Sequence, residues 1–383
     1  MSFFDDASLV MIPSGYKASK VYSVKPTDGT GDLTFSRAST ATRVNASGLI
    51  ASVASNVPRL DYTNSTCPKL LLEPQRTNLA QYSEQFDNVY WLKSNATITA
   101  NTTVSPDGTQ NADTAVITAG GYVYAEFISY AAVTGQSVTI SVFAKSASGE
   151  LVIFGGATTA GTDVYKIENY GNGWYRHSRV RTFTATATTT LQYLIEGVGT
   201  HIIWGAQVEG SNSAYATSYI PTLGASVTRV ADACSKTSAT ALIGQTEGTF
   251  FAEVTLLGST GNFNVLNTDN VTTNAITLHI ESGQVRGYVY ANSVLYNDIT
   301  GGSISVGNTY KMAYAYKSGD AALYLNGVQI GTASQTWAFS ASVGKIEVAD
   351  IDTYFSYQEG IKFAQALLFK TRLTNAQLAE LTA

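Results

Sequence analysis

Two-residue alternation in short runs constrains this chain more than any other feature. In Ser137-Val138-Thr139-Ile140-Ser141-Val142-Phe143-Ala144 the apolar Val138, Ile140, Val142 and Ala144 recur at every second position. A strand gathers such residues on one side, so a sheet with one buried face is expected. Similar runs follow between residues 81 and 229, at 96–100, 122–128, 151–154, 174–184, 189–196 and 201–208. A second series occupies 230–383, at 248–256, 263–266, 275–280, 285–291, 309–317, 321–325, 328–332, 345–348 and 363–369. Asn326-Gly327 separates two of these runs, and that dipeptide tolerates the paired positive φ angles of a tight hairpin. Thr374 and Gln377 stand at capping-box spacing and predict one short helix that turns Leu378 and Leu381 inward. The first 80 residues hold only brief alternations between long turns, which bury little by themselves. They are expected to lean on a partner chain or a later domain. The fold class is therefore all-β: an extended N-terminal segment over 1–80, a jelly roll over 81–229 and a β-sandwich over 230–383, with one short C-terminal helix.

Composition narrows the function. Charged residues are 13% of the 383, about half the usual share for a soluble domain. The polar surface must come from Ser, Thr, Asn and Gly, which suit exposed strands and turns. With 44% hydrophobic and 11% aromatic residues the chain is too apolar to stay disordered. Net charge is −5 and no basic run occurs, which disfavours nucleic-acid binding. The apolar stretch Leu9-Val10-Met11-Ile12 stops at Pro13, too short to span a bilayer, and acids stand where a secretory leader needs bases. Synthesis in the cytosol without membrane insertion is expected. Cys67 and Cys234 are isolated and read as free thiols, while His177, His201 and His279 lack metal-ligand spacing.

Three long and unusual stretches carry a resemblance. The first is Phe35-Ser36-Arg37-Ala38-Ser39-Thr40-Ala41-Thr42-Arg43-Val44-Asn45 with Pro58-Arg59-Leu60-Asp61-Tyr62. The second is Leu70-Leu71-Leu72-Glu73-Pro74-Gln75-Arg76-Thr77-Asn78-Leu79, leading to Tyr82-Ser83-Glu84-Gln85-Phe86. The third is Trp204-Gly205-Ala206-Gln207-Val208-Glu209, then Thr217-Ser218-Tyr219-Ile220-Pro221-Thr222 and Val227-Thr228-Arg229-Val230-Ala231-Asp232. In this order they resemble the modular fibre and adhesin proteins of tailed bacteriophages. The part after Asp232 is similar to laminin-G or concanavalin-A-like sandwiches, through Tyr310 to Tyr316, Leu323 to Gly327 and the ending Phe363 to Leu381. The resemblance implies a virion component, assembled in the host cytoplasm and released by lysis. It also implies a trimer or other symmetric oligomer, other virion proteins docked through the N-terminal segment, and host surface polysaccharide bound by the modules. It transfers no catalytic residue, and no enzyme activity is expected.

Sugar recognition asks for an exposed aromatic face beside amides or carboxylates. Trp174 and Tyr175 beside Asn172, Trp337 in a loop, and Tyr316 in a tyrosine ladder are the candidates. Each has a bland reading as a core or half-buried sheet aromatic. A glycan-depolymerising spike would need a convergent carboxylate pair, for which Glu126, Glu168, Glu196 and Glu209 are raw material, but the short repeats of a β-helix are missing. A capsid decoration or tail subunit without ligand is the other alternative. No cofactor is expected; calcium alone stays open, through the oxygens of Asp350 and Asp352.

Overall fold

The computed structural model describes residues 2–145, 152–154, 160–210, 213–258, 261–268, 273–350 and 360–383. Two sheets face each other to form the sandwich. The first runs Val328–Ala333, Ala321–Leu325, Thr309–Lys317, Glu247–Leu256, Ile361–Phe369, Lys69–Leu72 and Arg59–Asp61, with Leu9–Met11 also paired to Ile361–Phe369. The second runs Tyr16–Lys17, Lys20–Val21, Leu33–Ser36, Ala233–Lys236, Ile346–Asp350, Phe263–Asn267, Ala275–Glu281, Gln284–Ala291 and Val294–Ser303. Alternation assigns the faces of the first sheet. Phe250, Ala252, Val254 and Leu256 point into the core shared with the second sheet. Phe251 points the other way, with Ala313, Ala315, Leu367 and Phe369, against Leu373 and Leu378. A sheet apolar on both faces needs a second cover, and the C-terminal helix Asn375–Thr382 supplies it. Its capping box forms as its spacing requires: Gln377 N donates to Thr374 Oγ1 and Thr374 N donates to Gln377 Oε1. Asn326 (φ 47°) and Gly327 (φ 79°) make the hairpin turn.

The N-terminal segment does not stand apart. Its strands Leu9–Met11, Tyr16–Lys17, Lys20–Val21, Leu33–Ser36, Arg59–Asp61 and Lys69–Leu72 are spent in the sandwich's two sheets. The jelly roll is thus nested inside the sandwich rather than placed before it. Its ten-strand sheet follows the order Val152–Phe154, Ala187–Glu196, Ala112–Ala132, Gly199–Glu209, Ser137–Lys145, Trp174–Phe183 and Gly161–Gly171, with Leu92–Thr103 beside Ala112–Ala132. The chain enters it through Arg76–Asn78 and leaves through Val227–Arg229, and those two strands pair antiparallel.

At that doorway five charged side chains lie buried together. Arg59 donates from Nη1 to Glu73 Oε2 at 2.6 Å and from Nη2 to Asp232 Oδ2. Arg37 Nη1 donates to Asp232 Oδ1 at 3.0 Å, and Arg229 Nη1 lies 2.9 Å from Glu73 Oε2. Backbone bonds complete the knot, from Glu73 N to Asp232 Oδ2 and from Ser218 N to Glu73 Oε1, both 2.9 Å. The three stretches singled out in the sequence meet here, each through at least one of these residues. Burial opposes the charge on Glu73, yet Arg229, Arg59 and the Ser218 bonds outweigh it and hold the carboxyl well below its ordinary 4.5.

The linkage has a definite sign. A carboxyl depressed in the folded state stabilises fully above its unfolded value, and that stabilisation is withdrawn as pH falls below it. The melting temperature should therefore decline as pH drops below 4.5, with a shallower slope in Glu73→Gln. Asp232→Ala, which takes from buried Arg37 its carboxylate and leaves Arg59 with Glu73 alone, should lose about 3–5 kcal/mol in urea unfolding at neutral pH.

Candidate functional site

A cleft of about 660 Å³ opens between the two modules, a size suited to a small ligand. The sandwich contributes Lys69, Leu71, Thr255, Thr309 and Lys362. The outer jelly-roll strands Gly161–Gly171 and Trp174–Phe183 contribute Val164, Lys166, Glu168, Tyr170, Ser178 and Val180. A hairpin of strands Ala41–Val44 and Ile50–Val53 forms a third wall with Thr42, Arg43, Val44 and Ile50. It packs onto the jelly roll: Val44 and Ile50 share a cluster with Phe143, Trp174, Trp204 and Tyr219. Tyr215 and Tyr219 come from the segment returning to the sandwich. An adjoining groove carries the cleft outward past Asn45, Ser47, Tyr62 and Gly171.

The polar groups of the cleft are fixed before any ligand arrives. Lys69 Nζ donates to Thr255 Oγ1 at 2.7 Å and Thr309 Oγ1 at 3.2 Å. Lys362 Nζ stands 2.6 Å from Asp61 Oδ1, whose carboxylate also accepts from Val44 N and Thr63 N, each at 3.0 Å. Burial works against ionised Asp61, but Lys362 and these bonds prevail and lower its pKa. Lys166 and Glu168 pair at 2.7 Å on the more exposed wall. Asp61 and Glu73 are thus held ionised by partners within the protein, the opposite of the raised carboxyl that a general acid needs. Glu84 and Asp113 are pushed up by burial. Both lie outside the cleft lining and take part in local bonds: Glu84 with Tyr219 and Asn111, Asp113 with the amides of Phe86 and Asn101.

The aromatics named from sequence are mostly core. Trp337, expected in an exposed loop, is 8% exposed and packs on Phe339 and Tyr316, because its strand-edge segment folds back with Trp337 N on Ser318 Oγ. Tyr316 is fully covered and donates its hydroxyl to Gly244 O at 2.9 Å. Trp174 is buried beneath the Ala41–Val53 hairpin, with Lys145 Nζ 5.8 Å from its ring. Of the four, Tyr175 alone keeps partial exposure. The structure does not bring these four together. Of the cleft's tyrosines, Tyr219 stood in the third resembling stretch, whereas Tyr170 and Tyr215 went unmarked because each looks like a turn or linker residue until long-range packing gathers them. His177, His201 and His279 are buried in strands, and burial pushes His279 down to about 3. Among the described residues no three His, Cys, Asp or Glu side chains form a metal cluster. The calcium reading falls on Asp350 to Asp352, of which Ile351 and Asp352 lie outside the described residues.

No family model matches the chain, and no curated protein is similar to it in sequence. Among solved structures it is similar to the binding domain of Paraclostridial Mosquitocidal Protein 1, with TM-score 0.32 and 11% identity over 39% of this chain and 43% of that one. It is similar to a SAP-like pentraxin from Limulus polyphemus, with TM-score 0.29 and 14% identity over 35% of this chain and 68% of that one. It is also similar to the Ruminococcus gnavus IT-sialidase CBM40 bound to α2,3 sialyllactose, with TM-score 0.32 and 16% identity over 37% and 84% of the two chains. The likeness covers little more than a third of this chain and carries no ligand across.

Placement in the core has a measurable result. Trp337→Ala and Tyr316→Ala should each cost about 3–5 kcal/mol in urea unfolding, whereas Tyr175→Ala should stay within about 1 kcal/mol of the parent. Full stability in Trp337→Ala together with lost ligand binding would return that residue to a binding surface.

Proposed function

We propose that this chain is a structural subunit of a tailed-bacteriophage virion, a fibre or adhesin, that binds host surface glycans without cleaving them. The observation that carries the binding reading is the cleft itself. Two sandwich modules locked at a buried ionic knot enclose the hydroxyls of Thr255 and Thr309, the ammonium groups of Lys69, Lys166 and Lys362, the Glu168 carboxylate and the half-buried ring of Tyr170. A saccharide offers hydroxyls and apolar C–H faces, and this lining answers both. The virion reading is supported by the three stretches that resemble phage fibre proteins. Multiple copies in a trimer or other symmetric oligomer would turn a weak site into firm attachment. A capsid decoration without ligand and a glycan-depolymerising spike are the alternatives.

The intact chain, applied to printed bacterial surface polysaccharides, should bind saturably without releasing reducing ends. A double variant, Lys166→Ala with Glu168→Ala, removes an exposed pair worth roughly 0–1 kcal/mol to folding. It should keep the parent's melting temperature and lose about tenfold in affinity for a cleft-bound glycan, the loss expected of charged hydrogen bonds. Release of reducing ends would favour the depolymerase, and no binding at all the decoration. A reconstruction of the particle that includes the chain tests its place on the virion.

A further inference from the structure

We infer that the jelly roll carries a second saccharide-binding surface, selective for neutral glycans, on the outer face of strands Leu92–Thr103, Ala112–Ala132 and Ala187–Glu196. This rests on the glycan reading and assigns it a further site. The three strands lie side by side, with Ala112–Ala132 in the middle. Tyr122 has Ser94 on one flank and Glu196 on the other; Tyr124 has Leu92 and Leu194; Glu126 faces Gln192. Cross-strand neighbours in such rows touch one another. The alternate residues Val123, Ala125, Leu191, Tyr193 and Ile195 are buried in the core, so the rows point outward.

The outward rows form a built surface. The rings of Tyr122 and Tyr124 stand edge to face, 6.1 Å apart, and Leu92 beside them is 58% exposed. Gln192 Nε2 donates to Tyr124 Oη at 3.1 Å, and Tyr124 Oη donates to Glu126 Oε1. That chain of bonds orients the Tyr124 ring and leaves further acceptor positions on Glu126. An aromatic floor rimmed by carboxylate and amide is the pattern that receives a pyranose, ring faces on tyrosine and hydroxyls on the rim. Charge chooses the class of glycan. The three rows hold Glu126 and Glu196 and no lysine or arginine, so sialate or uronate groups meet like charge. The cleft between the modules, with Arg43, Lys69, Lys166 and Lys362 in its lining, has no such bias against acidic sugars.

The test measures retention of the full chain in native gels cast with a neutral glucan, a neutral galactomannan or polysialic acid. The neutral polymers should retard the parent. Tyr122→Ala and Tyr124→Ala should each weaken that retardation at least fivefold with the melting temperature preserved, and Glu126→Gln should admit polysialic acid. The Lys166→Ala, Glu168→Ala double variant should still be retarded by the neutral polymers. If the tyrosine variants migrate as the parent does and only the cleft variant loses retention, this surface is refuted and the cleft reading stands. If no glycan retards the parent, both fall.

Discussion

Arg59 sits at the centre of the buried ion network that joins the two modules of this fold. A guanidinium is planar and presents a fixed fork of donors, so it can bind two carboxylates at once. Here it joins Glu73, where the chain leaves the sandwich, to Asp232, where it comes back. Removing ions from water carries a desolvation penalty, and an incomplete set would be strongly unfavourable. The two carboxylates are further engaged by Arg37, Arg229, Ser218 and two backbone amides, while Nε of Arg59 and of Arg229 has no partner among the described residues. The network's yield is geometric. The two modules are fixed against each other, and the walls of the cleft are held in place before a ligand reaches them, which spares the ordering that a mobile site would require.

Nesting also sets the two halves of the knot far apart in sequence. Glu73 and Asp232 are 159 positions apart, and joining them through a disordered chain is entropically slow. A folded jelly roll returns its two ends to adjacent strands and removes most of that distance. The sandwich can then close around Ala233–Lys236, which lies between Leu33–Ser36 and Ile346–Asp350.

Local chemistry was legible in the sequence and long-range packing was not. The Asn326-Gly327 turn and the Thr374–Gln377 box rest on interactions within a few residues, and each formed where its pattern stood. The strand Ser137–Lys145 also formed, but Ser137 to Ala144 are buried on both faces rather than one, because the strand lies between Trp174–Phe183 and Gly199–Glu209 and its polar face is covered too. The strand Gly161–Gly171 left no signal: it lies at the sheet edge and is exposed on both faces, so its residues have no reason to alternate. Gly120-Gly121 looks like a break but lies within the single strand Ala112–Ala132. Gly121 passes so close to Asn95 O that a Cβ would lie 2.3 Å from it, which makes the pair a bend rather than an end. The same distinction separates the aromatics. Tyr122 and Tyr124 alternate with Val123 and Ala125, a sign of one outward face, whereas the burial of Trp337 depends on Tyr316 and Ser318 arriving from elsewhere in the chain.

The antiparallel pair made by Arg76–Asn78 and Val227–Arg229 gives the molecule a socket. Whatever lies between those two strands begins and finishes within one strand spacing, about 5 Å, and it helps to seal the junction, since Ser218 within it binds Glu73, Arg59 and Arg229. A different domain with neighbouring termini would fit the same position only by bringing its own amide and hydroxyl to Glu73 in place of those of Ser218. Such an architecture makes the inserted module and its host answer to one shared junction, so that a change in either must respect the other.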